Sequence, residues 1–204
     1  MRSVDFNGQA LTPSKIICIG KNYVAHIEEM GSVIPEDMVI FLKPNASIGD
    51  TLLSAHDGET LHYEAEICLL VNDGQCAGVG FGLDLTKRAS QGRLKEAGLP
   101  WERSKAFSSA ALFSPFVPAP RDLSQLSVEL LIDGQLRQQG GVELMLYPPA
   151  VIFEQLTRFT TLEDGDIIMT GTPAGVGQID RGAHFLGCVR NAGEMLVSAE
   201  WLAR

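Results

Sequence analysis

The sequence predicts a β-rich α+β domain. Short apolar runs, 21 glycines and 10 prolines that punctuate them, and Asp-Gly dipeptides placed as hairpin turns all point that way. IICIG, after Lys15, reads as a short buried strand over 16–20. KNYVAHIEEMG follows as a helix, with Asn22 as its cap and Gly31 as its stop. VIFL at 39–42 is a second strand, closed by Lys43-Pro44. LHYEAEICLL (61–70) is a third, and NDG at 72–74 turns it into a glycine-spaced strand over 77–84 that ends at Asp84. A helix over 86–97 stops before Gly98, with Asp84 or Thr86 available as its cap. VELLIDGQLRQQG (128–140) reads as a hairpin, and Pro148-Pro149 starts a helix over 149–160. GDIIMTGTP gives a strand running into a turn, and NAGE at 191–194 turns the last hairpin. No repeat, low-complexity tract or linker interrupts the chain, so residues 1–204 are expected to form one domain.

Composition narrows the function. The net charge of −9 argues against nucleic acid or an anionic membrane as partner, since both select basic surfaces. An acidic whole can still hold a basic pocket for a small anion. Cys18, Cys68, Cys76 and Cys188 are scattered without a C-x-x-C pair, so neither a disulfide framework nor a zinc site is expected. The N-terminus has no apolar signal-like run, and the longest uncharged stretch, 106–120, holds three prolines. A cytoplasmic protein is expected.

Chemistry enters at LHYEAEICLL. Alternate side chains of a strand share a face, so Leu61, Tyr63, Ala65, Ile67 and Leu69 form one apolar side. Glu64 and Glu66 stand together on the other, roughly 7 Å apart, and repel unless solvent, protons or a cation offset them. An E-x-E strand is most often just a solvated face. Here Leu70 and Val71 follow directly and carry the strand inward, which weakens that reading. Asp84, ending the glycine-spaced strand, would complete three hard oxygen ligands suited to Mg²⁺, Mn²⁺ or Ca²⁺. His26 and Glu29, three apart on one helix face, could take a proton from water, although such a pair in isolation is more often a surface ion pair. Lys105, between Trp101 and Phe107, reads as a partly buried cation near an anionic ligand, and the bland alternative is a surface lysine. TGTPAGVG at 170–177 lacks the lysine and following helix of a phosphate loop, and reads as a rigid turn offering hydroxyls and N–H groups to an anion. GVGFG at 78–82 has the wrong spacing for a dinucleotide fingerprint.

Taken in order, IGKNYVAHIEEMG, FLKP, HYEAEICLLV, LDLTKRASQ, PWERSKAF and GDIIMTGTPAGVG resemble the fumarylacetoacetate hydrolase family over nearly the whole chain. The likeness is to its short single-domain bacterial members and the acylpyruvase branch. The resemblance implies a mixed β-roll with a few short helices, usually dimeric. It implies Glu64, Glu66 and Asp84 as ligands of Mg²⁺ or Mn²⁺, with a keto-acid substrate completing the shell. It places His26 and Glu29 as the water-activating pair and Lys105 as a catalytic cation. Lys43, Arg88, Gln91 and Thr172 fall at positions that contact substrate or order the site. Three departures stand out: Ala89 and Ser108 replace common acidic residues, and the segment between Val71 and Gly78 is short. Second-shell carboxylates orient ligands, so these departures bear on rate and substrate choice more than on metal binding.

The expected activity is C–C hydrolysis of a small anionic β-diketo acid such as an acylpyruvate. An isomerase, decarboxylase or tautomerase acting on a dicarboxylate such as oxaloacetate is the alternative. A metabolite-binding protein without catalysis is a third reading, against which an intact general base counts.

Overall fold

The computed structural model describes residues 1–204. Its apolar runs assemble into one mixed sheet, in the order Ala111–Phe113, Gln75–Asp84, Ala65–Asn72, Ile167–Met169, Lys15–Gly20, Val39–Pro44. Within it Ile167–Met169 and Lys15–Gly20 run parallel, and the other neighbours are antiparallel. A second, antiparallel sheet has the order Gln135–Gly141, Leu126–Ile132, His184–Asn191, Glu194–Leu202. Four short helices accompany them: α1 (Val24–Glu29), α2 (Arg88–Glu96), α3 (Glu102–Lys105) and α4 (Pro149–Thr157). None is long and apolar enough to cross a membrane. The β-rich α+β reading holds.

The period-two alternation of the sheet feeds two cores. Ile17, Ile19, Ile67, Leu69, Val79, Phe81 and Ile168 pack with Val128, Leu130, Phe185 and Val189 of the second sheet. On the opposite face Ile16, Cys18, Cys68, Leu70, Ile167 and Met169 pack with Val4, Ile48 and Phe116. Glycines flatten this second face. A methyl at Gly80 would sit 2.9 Å from the Phe116 ring, and one at Gly82 would sit 2.4 Å from Cys68 Sγ. The GVGFG run is therefore a seat for aromatic rings rather than a nucleotide loop.

Tight turns fall where Asp-Gly and its analogue place them. Asp73 and Gly74, Asp133 and Gly134, and Ala192 and Gly193 all have positive φ, as type I′ hairpin turns require. The short 72–78 segment is simply the first of these hairpins, Asn72 pairing with Gln75.

Three local expectations are corrected. Segment 61–70 is two strands, because His62–Tyr63 pairs with Gly177–Gln178 before Ala65–Asn72 pairs with Gln75–Asp84. Asn22 does not cap α1; Tyr23 is the N-cap residue and makes no side-chain cap bond. Fully buried, Asn22 instead donates to the Thr170 and Tyr147 carbonyls (2.7 and 3.0 Å) and accepts from the Tyr147 N–H (2.7 Å). Thr86 does not cap α2 either, because its backbone pairs with His62 and its hydroxyl accepts from Lys105.

Candidate active site

The sheet itself sets the floor of the site. Ala65 pairs with Leu83 and Glu66 with Gly82, while the Asp84 N–H donates to the Glu64 carbonyl, so Glu64, Glu66 and Asp84 project from one face. Their nearest ligand oxygens lie within 4.8 Å of one another, and all three residues are buried. Like charges placed so closely destabilise a sheet unless something offsets them.

Part of the offset is built in. Lys105, 2 % exposed, donates from Nζ to Glu64 Oε2 (2.7 Å), Asp84 Oδ2 (2.7 Å) and Thr86 Oγ1 (2.6 Å). Arg88 Nη2 pairs with Glu64 Oε1, and its Nη1 donates to Gln91 Oε1 at 2.8 Å. Lys43 Nζ lies 2.7 Å from Asp84 Oδ1, an ion-pair contact without hydrogen-bond alignment, and donates to the Lys105 carbonyl. Glu66 has no cation; its Oε2 accepts from the Gly171 N–H at 2.6 Å.

The two glutamates therefore diverge. Burial opposes ionisation of Glu64, but the Lys105 and Arg88 charges outweigh it and hold its carboxyl well below the usual range. At Glu66 burial, reinforced by the charges of Asp84 and Glu64, pushes the pKa well up. Lys105 shows the reciprocal effect: burial disfavours its charge, yet Asp84 and Glu64 raise its pKa. Cys18 and Cys68 lie nearby, but burial above all keeps their thiols protonated.

These residues fit a hard divalent cation. The donors are carboxylate oxygens, Asp84 Oδ1 makes no hydrogen bond, and Glu66 carries a charge that only a proton or a cation can relieve.

Above this floor lies a cavity of about 260 Å³, lined by Glu64, Glu66, Asp84, His26, Arg88, Gln91, Lys105 and Thr172 together with neighbours from α1 and α2. On α1, His26 faces the cavity, and its Nδ1 lies 3.3 Å from Glu29 Oε2. Glu29 is not itself a lining residue. It stands behind His26, where the Gly175 N–H reaches both of its oxygens (3.0 and 3.2 Å). The TGTPAGVG turn thus offers its N–H groups to Glu66 and Glu29, two of the protein's own carboxylates.

Two of the sequence-selected residues sit differently from the rest. Lys43 is completely buried and absent from the cavity wall; the structure places it beneath Asp84. Thr172 lines the cavity, but its hydroxyl already donates to the Ala65 carbonyl (2.9 Å) and accepts from Gln138 Nε2 (2.8 Å). Gln138, which also holds the Ala65 N–H and the Pro173 carbonyl, carries no signal in the polar run RQQG. The sequence reading misses Lys95, although Arg88, Gln91, Gly92 and Lys95 follow the i, i+3, i+4, i+7 rule of one helix face, and all four line the cavity. Ala89 and Ser108 are exposed and outside the wall, so neither departure touches the carboxylates.

Fold and site describe a β-rich domain built around clustered buried carboxylates, and its relatives are enzymes of the hydrolase and isomerase kind. The model of the fumarylacetoacetate (FAA) hydrolase C-terminal region matches residues 15–200, and the chain belongs to that family. Among its relatives, oxaloacetate tautomerase YcgM of Escherichia coli K12 is 37% identical over 186 residues, 83% of this chain and 85% of that protein. The mitochondrial oxaloacetate tautomerase FAHD1 of Arabidopsis thaliana is 33% identical over 205 residues, covering 92% and 91%. Fumarylpyruvate hydrolase from Pseudomonas aeruginosa, solved with Mn²⁺ and pyruvate, superimposes with a TM-score of 0.87 at 30% identity, covering 100% of this chain and 96% of that one.

Proposed function

We propose that the chain is a divalent-metal-dependent enzyme of small 2-oxo acids, with keto–enol tautomerisation of oxaloacetate as its leading reaction. The observation that carries this reading is one cavity holding three buried carboxylates and a histidine backed by a carboxylate. Tautomerisation stands ahead of the hydrolysis expected from the resemblance, because relatives at 37% and 33% identity are oxaloacetate tautomerases.

Glu64, Glu66 and Asp84 would hold Mg²⁺ or Mn²⁺; when bound, such an ion polarises a 2-oxo group as a Lewis acid. The His26 Nδ1 contact with Glu29 favours the tautomer protonated at Nδ1, leaving the Nε2 lone pair free. Nε2 takes a proton from the carbon next to the 2-oxo group and returns it to the oxygen, giving the enol. Lys105, locked on Glu64 and Asp84, keeps a fixed positive charge beside the developing negative oxygen.

The second reading, cleavage of an acylpyruvate, is favoured by the same His26–Glu29 pair and by the Pseudomonas relative. There Nε2 would take a proton from water, whose hydroxide adds to the distal carbonyl carbon. The carbon–carbon bond then breaks to a carboxylic acid, and the proton ends on the pyruvate carbon.

A panel of oxaloacetate and acylpyruvates with Mg²⁺ and Mn²⁺ tests the assignment. Faster enol–keto relaxation of oxaloacetate without pyruvate release is the expected result. Pyruvate release from acylpyruvates makes it a hydrolase, and no turnover of either removes both readings. A homodimer is also proposed, with light scattering expected to give about twice the 22.0 kDa chain mass.

A further inference from the structure

We propose that Lys95 receives a second carboxylate of the substrate, so that the cavity selects 2-oxo dicarboxylic acids over 2-oxo monocarboxylic acids. This rests on the keto-acid reading above and adds the residue that reads the second carboxylate of a substrate such as oxaloacetate.

Four lysine and arginine side chains line this cavity and can be told apart by what they already hold; Lys21, on the α1 side, donates to the Val33 carbonyl at 3.4 Å. Arg88 is committed to Glu64 and Gln91, and Lys105 to Glu64, Asp84 and Thr86. Lys95 makes no ion pair and no hydrogen bond to any protein acceptor. Its ammonium lies 4.7 Å from the centre of the Trp101 ring, which holds it by cation–π attraction and leaves its N–H donors unspent.

Its position matches the task. Lys95 stands two helical turns beyond Arg88 on the cavity face of α2, with Gly92 between them adding no side chain. The carboxylate floor is at the Arg88 end, where the 2-oxo acid end of a substrate belongs. Lys95 is exposed as a residue, yet partial burial of its ammonium and the charges of Arg88 and Lys105 lower its pKa to about 8. A cation surrounded by like charge, with no anion of its own, is relieved by a bound carboxylate.

Two acids of equal chain length isolate the contact: 2-oxoglutarate, and 2-oxopentanoate, which lacks the distal carboxylate. Their affinities for the Mn²⁺-loaded protein would be measured by calorimetry near neutral pH. The parent should prefer 2-oxoglutarate by at least about tenfold, the worth of one charge-assisted hydrogen bond. Lys95→Met should erase that preference while leaving 2-oxopentanoate affinity unchanged, and Lys95→Arg should keep it. A preference that survives Lys95→Met, or that disappears in Lys21→Met instead, overturns the assignment. Equal binding of the two acids by the parent overturns it too, while leaving the keto-acid site standing. Failure of the parent to bind either acid overturns both.

Discussion

Helices α1 and α2 both line the cavity, and they are tied to the protein in different ways. Helix α2 is pinned on two sides, through Arg88 to Glu64 and through Ser90, whose N–H and hydroxyl donate to Glu59 at 2.7 and 2.6 Å. Helix α1 spans six residues and follows Lys21, whose φ of 56° puts it in the left-handed region. It is fixed at its base by Asn22 and along its buried side by Ile27. Toward its end the Gly175 N–H on Glu29 holds it, and beyond that Val33 is 78% exposed. The groups proposed to recognise charge thus ride on a wall pinned through side-chain carboxylates, and the histidine proposed to move protons rides on a wall anchored by packing and backbone contacts.

The largest effect should come from removing what both walls serve. Asp84→Asn or Glu66→Gln should abolish Mn²⁺ binding by calorimetry and lower turnover at least about a thousandfold, since charge stabilisation by a metal is worth several kcal/mol. Glu66 adds a signed pH effect. Its folded pKa is raised, so the stability linked to its proton is complete below the ordinary value of 4.5 and is lost as pH rises through the folded pKa. Metal-free Glu66→Gln should therefore melt above metal-free parent at neutral pH, and Mn²⁺ should raise the melting temperature of the parent only. Equal melting temperatures without metal would show that Glu66 carries no such strain.

Next comes the α1 wall. His26→Ala and Glu29→Gln should each lower turnover by about a hundredfold or more, with Mn²⁺ affinity intact. If acylpyruvate cleavage falls and oxaloacetate tautomerisation does not, another base serves the tautomerase. The α2 wall should respond more mildly, through charge. The preference for a dicarboxylic acid should be complete below about pH 8, where Lys95 is protonated, and decline above it, while Lys95→Arg should carry the preference to higher pH. Affinities measured from pH 6.5 to pH 9.5 would check this. The smallest effect on rate is expected at Gly175, whose φ is +100° and where a methyl would sit 2.0 Å from the Arg137 carbonyl oxygen. Gly175→Ala should cost about 1–3 kcal/mol of stability in denaturant melts. Turnover should drop only severalfold, as Glu29 loses its N–H partner.

Much of this contrast was legible in the residues, and what escaped had a common cause. The alternation in YEAEICLLV placed Glu64 and Glu66 opposite the main apolar face, and the structure puts Ile67 and Leu69 in one core and Cys68 and Leu70 in the other. Asp-Gly turns and the Pro148-Pro149 start are local chemistry and read correctly. Asn22 was misjudged because its partners, Thr170 and Tyr147, are more than 120 residues away, and a cap is only the nearest use of such a side chain. The same holds for Lys43, whose burial depends on Asp84 and on the Lys105 carbonyl. Gln138 is the extreme case, a polar residue of a polar strand that turns inward to join two distant segments, at Ala65 and at Thr172-Pro173.

The glycine-spaced strand also shapes what mutation can do to this enzyme. Side chains at Gly78, Gly80 and Gly82 would each press on packed atoms within 3.0 Å, chiefly aromatic rings and the Cys68 sulfur. Cys68 lies on the same strand face as Glu66, two residues on, so a methyl at Gly82 would push toward the carboxylate floor. Between the glycines, Val79, Phe81 and Leu83 fill the other core, where conservative exchange among apolar residues is tolerated. A saturation mutagenesis map of this strand would therefore read as a comb with a period of two, closed at every glycine and partly open at every tooth between.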